Sequence, residues 1–226
     1  MKEHTIVCVV EGDGERVAVP ILVNRILQRL RRHPRLRVDP DFVLCPRNGD
    51  CIVAPHNPQC QLGIEVFVGR AVREKPAAVL VIVDAEQRCV DRATNGLPPL
   101  GPELLARARA VAGEVPVGVV VANRMFETWF LADYHSLRDR GRFLADSRYP
   151  GWRTPEENGG CKGWMRDFLG RKYLETSDQA EFAKIVSLPV RAKLRERSPS
   201  FFKLYREVDR LSREAICQVH RPPSAT

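Results

Sequence analysis

The sequence predicts an α/β fold, an open, mostly parallel sheet flanked by helices, with a helical C-terminal extension. Three observations carry this reading. Short β-branched apolar runs alternate with longer stripes at helical spacing as far as Asn123. Residues 77–83 are apolar throughout, as a parallel strand buried on both faces requires. Beyond Asn123 the strand pattern stops and only helical periodicity continues.

Element by element, residues 5–10 form an apolar strand that ends at the polar, glycine-rich turn Glu11 to Glu15. Val19, Leu22, Val23, Ile26 and Leu30 then recur at helical spacing, with Pro20 placed near the start of the stripe. Residues 41–45 read as a second strand and residues 61–74 as a second helix. The run 77–83 stops at Asp84, residues 104–112 read as a helix, and residues 115–121 as another buried strand. A β-α-β-α-β-α-β order implies helices on both faces of the sheet. Ser198 before Pro199 starts the strongest late helix, whose stripe runs Phe201, Leu204, Tyr205, Val208, Leu211 and Ala215. The division expected is an α/β domain over 1–133 and a helical extension over 134–226 packed on it, with residues 221–226 frayed.

Composition narrows the function classes. The chain has 226 residues, 44% hydrophobic and 28% charged, which describes a globular domain able to bury a core. Lys plus Arg is 36 against 28 Asp plus Glu, and the net charge of +8 favours an anionic partner. No apolar run is long enough to span a bilayer, and Glu11 cuts the first one short of a secretory segment. Seven cysteines, odd in number and scattered, do not form a disulfide framework. A cytoplasmic protein with no membrane association is expected.

The chemistry sits at strand ends, where parallel sheets bind ligands. Glu11 ends the first strand, with Glu15 one helical turn on, and Asp84 and Glu86 follow the central strand. Side chains alternate along an extended segment, so Asp84 and Glu86 point the same way. Crowded carboxylates repel unless a cation neutralises them, and hard cations such as Mg²⁺ prefer oxygen ligands. The opposing reading is a set of solvated loop acids beside a turn.

These residues also carry a resemblance. Glu11-Gly12-Asp13-Gly14-Glu15 before a helix, with Asp84-Ala85-Glu86 after a later strand, resembles the Toprim domain. The segment from Asn123 to Asp133, containing Glu127, Trp129, Leu131 and Ala132, is similar to that of small bacterial Toprim-like proteins known only as a domain of unknown function. Tyr173, Asp178, Gln179, Phe182 and Ser198 to Phe201 extend the similarity into the helical part. The resemblance implies a Toprim-like fold and a metal-dependent nuclease, with Glu11, Asp84 and Glu86 as catalytic residues. Glu11, Glu15, Asp84, Glu86 and Glu127 would bind Mg²⁺ or Mn²⁺. It further implies an ATPase partner of the ABC or AAA class in a phage-defence or repair system. Glu86 departs from the family pattern, which has aspartate there. A subunit that binds nucleic acid or regulates without turnover is the alternative.

Other residues admit two readings each. Glu127 either completes a metal site or anchors a helix by capping or pairing with an arginine. Arg25, Arg29 and Arg32 lie in a stretch without acids, and Lys162 follows Cys161. They read as nucleic-acid contacts, tracking backbone phosphates, or as solvated surface. Residues 191–197 form a second basic stretch with the same two readings. Trp129, Trp152 and Trp164 read as core or interface residues. Cys45, Cys51, His56 and Cys60 lack the paired spacing of a zinc knuckle and read as free thiols in a loop. Gly12-Asp13-Gly14 lacks the Gly-Lys-Ser/Thr ending of a Walker A loop, and no nucleophile elbow is present.

Overall fold

A computed structural model of the chain describes residues 4–46, 50–86, 88, 98–190 and 192–219. Arg191 and residues 221–226, singled out above, lie outside them. The elements run β1 (Thr5–Val9), α1 (Asp13–Arg29), β2 (Arg37–Leu44), α2 (Asp50–Val53), α3 (Ile64–Arg73) and β3 (Ala78–Asp84). They continue with α4 (Leu100–Ala112), β4 (Val117–Ala122), α5 (Glu127–Ala132) and α6 (Tyr134–Asp139). A short 3₁₀ turn (Pro155–Glu157) follows, then α7 (Cys161–Leu169), α8 (Glu175–Ile185), α9 (Ala192–Arg197) and α10 (Pro199–Val219). The four strands form one parallel sheet in the order β2-β1-β3-β4.

Strand alternation sorts the sheet into two cores. Ile6, Cys8, Leu80, Ile82 and Val120 face α1 and the C-terminal helices, whereas Val7, Val9, Val79, Val81 and Val119 face α3 and α4. The two central strands are thus apolar on both sides, as the continuous runs require. Residues from 134 onward join the α1-side core through Tyr134, Phe168, Phe182 and Phe201.

Several boundaries differ from the sequence reading, α4 beginning at Leu100 rather than residue 104 among them, and three of the differences have a clear cause. The first strand pair begins earlier, because Asn24 of α1 both accepts from the Val38 N–H at 2.8 Å and donates to its carbonyl at 3.0 Å. That bond is non-local, and Pro40 inside β2 is tolerated because β2 is an edge strand. Helix α1 starts at Asp13, so Pro20 lies inside it rather than near its start. There it removes one helical hydrogen bond, and burial of Val19, Pro20, Leu22 and Val23 offsets that loss. Helix α3 is shorter than 61–74, because Asn57 and Leu62 pair first across a tight loop.

Trp129 on α5 ties the sheet to the C-terminal helices. Its indole stacks on Phe201 with centroids 5.3 Å apart and donates to Ser200 Oγ at 2.7 Å. Ser200 Oγ in turn donates to the buried carboxylate of Glu156 at 2.6 Å, which also accepts from Ser198 Oγ at 2.6 Å. Trp152 and Trp164 are half-buried and meet edge to face at 4.8 Å on the margin of the same core. All three tryptophans therefore serve packing. Ser200→Ala strands the Trp129 N–H and removes one donor from Glu156, so a loss of about 1–3 kcal/mol is expected. Urea unfolding measures it, and an unchanged midpoint would exclude this linkage.

Candidate functional site

The chain leaves β1 for α1 on one face, and leaves β3 toward α4 on the other. Neighbouring parallel strands with diverging exits open a crevice at their carboxyl ends. Glu11 and Asp84 stand there. Glu11 Oε2 accepts the Asp84 backbone N–H at 2.7 Å, tying the two strand ends together. A cleft of about 290 Å³ opens on them, lined by Glu11, Glu15, Asp84 and Glu86, with Lys162 and Glu175 on its other wall.

Glu15 occupies the first turn of α1, where a carboxylate complements the helix dipole. It is only 9% exposed, and burial raises its pKa against a backbone hydrogen bond and the Gln179 side chain. The glycines before it make room. A Cβ on Gly12 would stand 2.5 Å from Glu15 Oε2, and one on Gly14 would stand 2.6 Å from Gln179 Oε1. This pair therefore permits close packing of carboxylate and amide.

Asp84 is half-buried, and its carboxyl is held well above the ordinary range. Burial contributes most, followed by the negative charges of Glu11, Glu15, Glu127 and Glu86. Glu86 does not continue the strand. Its φ of 51° is left-handed, its N–H donates to the Arg124 carbonyl at 2.9 Å, and its side chain is exposed. The same-side rule for extended residues does not apply to it, because β3 ends at Asp84. A left-handed glutamate costs about 1–2 kcal/mol, and Arg124 braces it by donating to the Glu86 carbonyl at 3.2 Å.

Glu127 begins α5 just beyond β4 and is 1% exposed. Its Oε1 accepts from the Tyr173 hydroxyl at 3.1 Å and from Gln179 Nε2 at 3.3 Å, while Oε2 has no hydrogen-bond partner among the described residues. Among the described residues the holders of Glu127 are thus a tyrosine and an amide, in place of the arginine that was one form of the anchoring reading. Burial raises the Glu127 pKa, and burial with the Glu127 charge pushes the Tyr173 hydroxyl up. Lys162 Nζ pairs with Glu175 at 2.8 Å. Burial opposes its charge, but the Glu175 bond and the Glu127 and Asp84 charges raise its pKa overall.

The cleft thus gathers Glu11, Glu15, Asp84, Glu86 and Lys162, with Glu127 beside it. Among the described residues, no three His, Cys, Asp or Glu side chains stand close enough to form a ready-made metal site. Cys45, Cys51 and Cys60 are free thiols. Arg25, Arg29 and Arg32 lie toward the far end of α1. Arg25 donates to the Ala183 carbonyl at 2.7 Å, Arg29 is exposed, and Arg32 is half-buried with Nε unpartnered. Sequence reasoning gave no site role to Tyr173, Glu175 or Gln179. Gln179 is a polar residue at a buried helical position, which becomes visible only once α8 is packed on α1, whereas Glu175 is exposed and Tyr173 lies between α7 and α8. No protein-family model, curated protein or solved structure matches the chain.

Burial of the Asp84 carboxyl, with the repulsion of its neighbours, gives a stability prediction. Its folded-state pKa is raised, so its contribution to stability is fully present below the unfolded pKa and lost as pH rises through the folded value. Asp84→Asn removes that loss, and the variant is expected to melt about 2–4 °C higher at pH 7. The difference should shrink as pH falls toward about 4. A scan of melting temperature against pH checks both; equal melting at pH 7 would refute the cost of charging Asp84 in the folded chain.

Proposed function

We propose that this protein is a divalent-metal-dependent nuclease that hydrolyses phosphodiester bonds at the β1–β3 cleft. The observation that carries the reading is Asp84, a strand-end carboxyl surrounded by four other carboxylates with one lysine opposite. Among the described residues such a site is short of positive charge, and an all-oxygen donor set fits Mg²⁺ or Mn²⁺. Glu11, Glu15, Asp84 and Glu86 would hold the metal, with Glu127 behind them. When bound, the ion lowers the pKa of water and screens the phosphate.

The chain's own residues supply the rest. Glu11 fixes the position of Asp84 by accepting its N–H, so the two carboxylates keep one spacing. Tyr173 and Gln179 orient Glu127, leaving Oε2 as an unused acceptor. Lys162 provides a fixed cation across the cleft, placed to counter charge that develops on a phosphoryl oxygen. The resemblance to Toprim-like proteins, with its ATPase partner and defence or repair setting, agrees with this chemistry and rests on motif residues alone.

The second reading is a subunit that binds nucleic acid or regulates an ATPase without turnover. It is favoured by the exposed, left-handed Glu86 and by the absence of a gathered carboxylate triad among the described residues. A cleavage panel of single- and double-stranded DNA and RNA in Mg²⁺, Mn²⁺ or EDTA separates the two. The nuclease is expected to need metal and to lose on the order of 100-fold or more in rate with Asp84→Ala or Glu11→Gln. Lys162→Met should cost about 100-fold. Cleavage that survives Asp84→Ala, or no cleavage with any metal and substrate, would sink the nuclease reading.

A further inference from the structure

A second cavity, of about 620 Å³, lies at the other end of α1. The two basic stretches of the sequence meet there: Arg29 comes from α1, and Lys193 and Arg197 from α9. Arg140 also lines it, facing the acids Asp133 and Asp139. Both acids are already engaged. Asp133 Oδ2 accepts the Ser187 N–H at 2.7 Å, and Asp139 pairs with Arg138 at 3.2 Å.

The cations are less well satisfied. Arg140 donates to the Ile185 carbonyl at the end of α8. The Arg197 guanidinium lies 4.6 Å over the Tyr149 ring, and its Nε and Nη2 are buried with no hydrogen-bond acceptor. Arg29 and Lys193 are exposed and make no ion pair recorded among the described residues. Gathered cations with unused donors are the footprint of a phosphate group, which neutralises them and accepts several hydrogen bonds at once.

Position relative to the acidic cleft indicates the kind of phosphate. Glu15 and Arg29 both lie on α1, fourteen residues apart. That separation is about 21 Å at 1.5 Å per residue, and α8 lies along α1 between the two positions, with Gln179 beside Glu15 and the Ala183 carbonyl on Arg25. The separation corresponds to about six nucleotides of a strand at 3.4 Å each. We propose that this cavity is a backbone-phosphate site that holds a nucleic-acid strand whose other phosphates reach the acidic cleft. The proposal rests on the nuclease reading, and it names where the substrate is gripped away from the reacting bond.

Binding in EDTA tests the grip without requiring cleavage. A fluorescein-labelled 20-nucleotide single strand is titrated onto the full chain at several salt concentrations, with a labelled mononucleotide as a second probe. Arg29→Ala with Lys193→Ala is the test variant, since both side chains are exposed; its melting temperature should match that of the unaltered chain. The variant is expected to bind the 20-mer more weakly, with a slope of log affinity against log salt flatter by about 1.4, at 0.7 for each of two lost contacts. The mononucleotide should bind far more weakly than the 20-mer. Unchanged affinity and slope would overturn the proposal. Equal binding of mononucleotide and 20-mer would also overturn it, by making the cavity a small-anion pocket. The outcome is separable from the nuclease reading: cleavage that depends on Asp84, together with unchanged binding by the variant, rejects this site alone.

Discussion

Burial of β1 and β3 on both faces constrains everything else in this molecule. A charge within either strand would sit between two apolar layers without water or partner, at a cost that no local contact repairs. Charged groups can therefore enter only where these strands leave the sandwich. Glu11 and Asp84 stand at that boundary, one residue past the last apolar position of each run. The crevice between the diverging exits of α1 and α4 then concentrates them. Placement of acids at the strand ends follows from the core as much as from any chemistry they perform.

Concentration creates the electrostatic problem visible at Asp84. Five carboxylates share one cleft and its rear wall; burial raises the Asp84, Glu15 and Glu127 pKa values, and repulsion from neighbouring acids, Glu175 among them, adds to the shift. Neutral donors moderate the effect: the Asp84 N–H for Glu11, Gln179 for Glu15 and Glu127, and the Tyr173 hydroxyl for Glu127. Among the described residues Lys162 alone brings opposite charge into the cleft by itself, and Glu175 shares it. Arg88 also lines the cleft, but its guanidinium is drawn to Glu103 at 2.8 Å. A site that keeps such tension at the end of an otherwise well-packed sheet sacrifices stability locally, which is the usual mark of a functional centre.

The sheet was legible because buried parallel strands write themselves as unbroken apolar runs, and residues 77–83 and 115–121 are nearly pure examples. β2 was legible only in its second half, since its start depends on Asn24, fourteen residues away, and on no pattern of its own. Glu11, Glu15 and Asp84 were legible by position, as acids directly after apolar runs. Glu86 was misdirected by the same rule: the alternation assumed an extended chain, and the backbone instead turns left-handed against Arg124. The basic stretches were legible as charge, but not as one cavity, because Arg29 and Lys193 are brought together only by tertiary packing.

The C-terminal helices complete the cleft as well as cover the sheet. Lys162 comes from α7, Glu175 and Gln179 from α8, and Tyr173 from the link between them. Gly14 is a glycine because Gln179 needs the space, so the α1 turn and α8 are fitted to each other at the level of single atoms. Glu127 has partners only because α8 lies against α1. An α/β layer ending at residue 133 would hold Glu11, Asp84 and Glu86 yet lack the lysine, the tyrosine and the amide that position and moderate them. In physical terms the division at residue 133 separates the layer that holds the strands from a part that is helical among the described residues, while the cleft itself belongs to both.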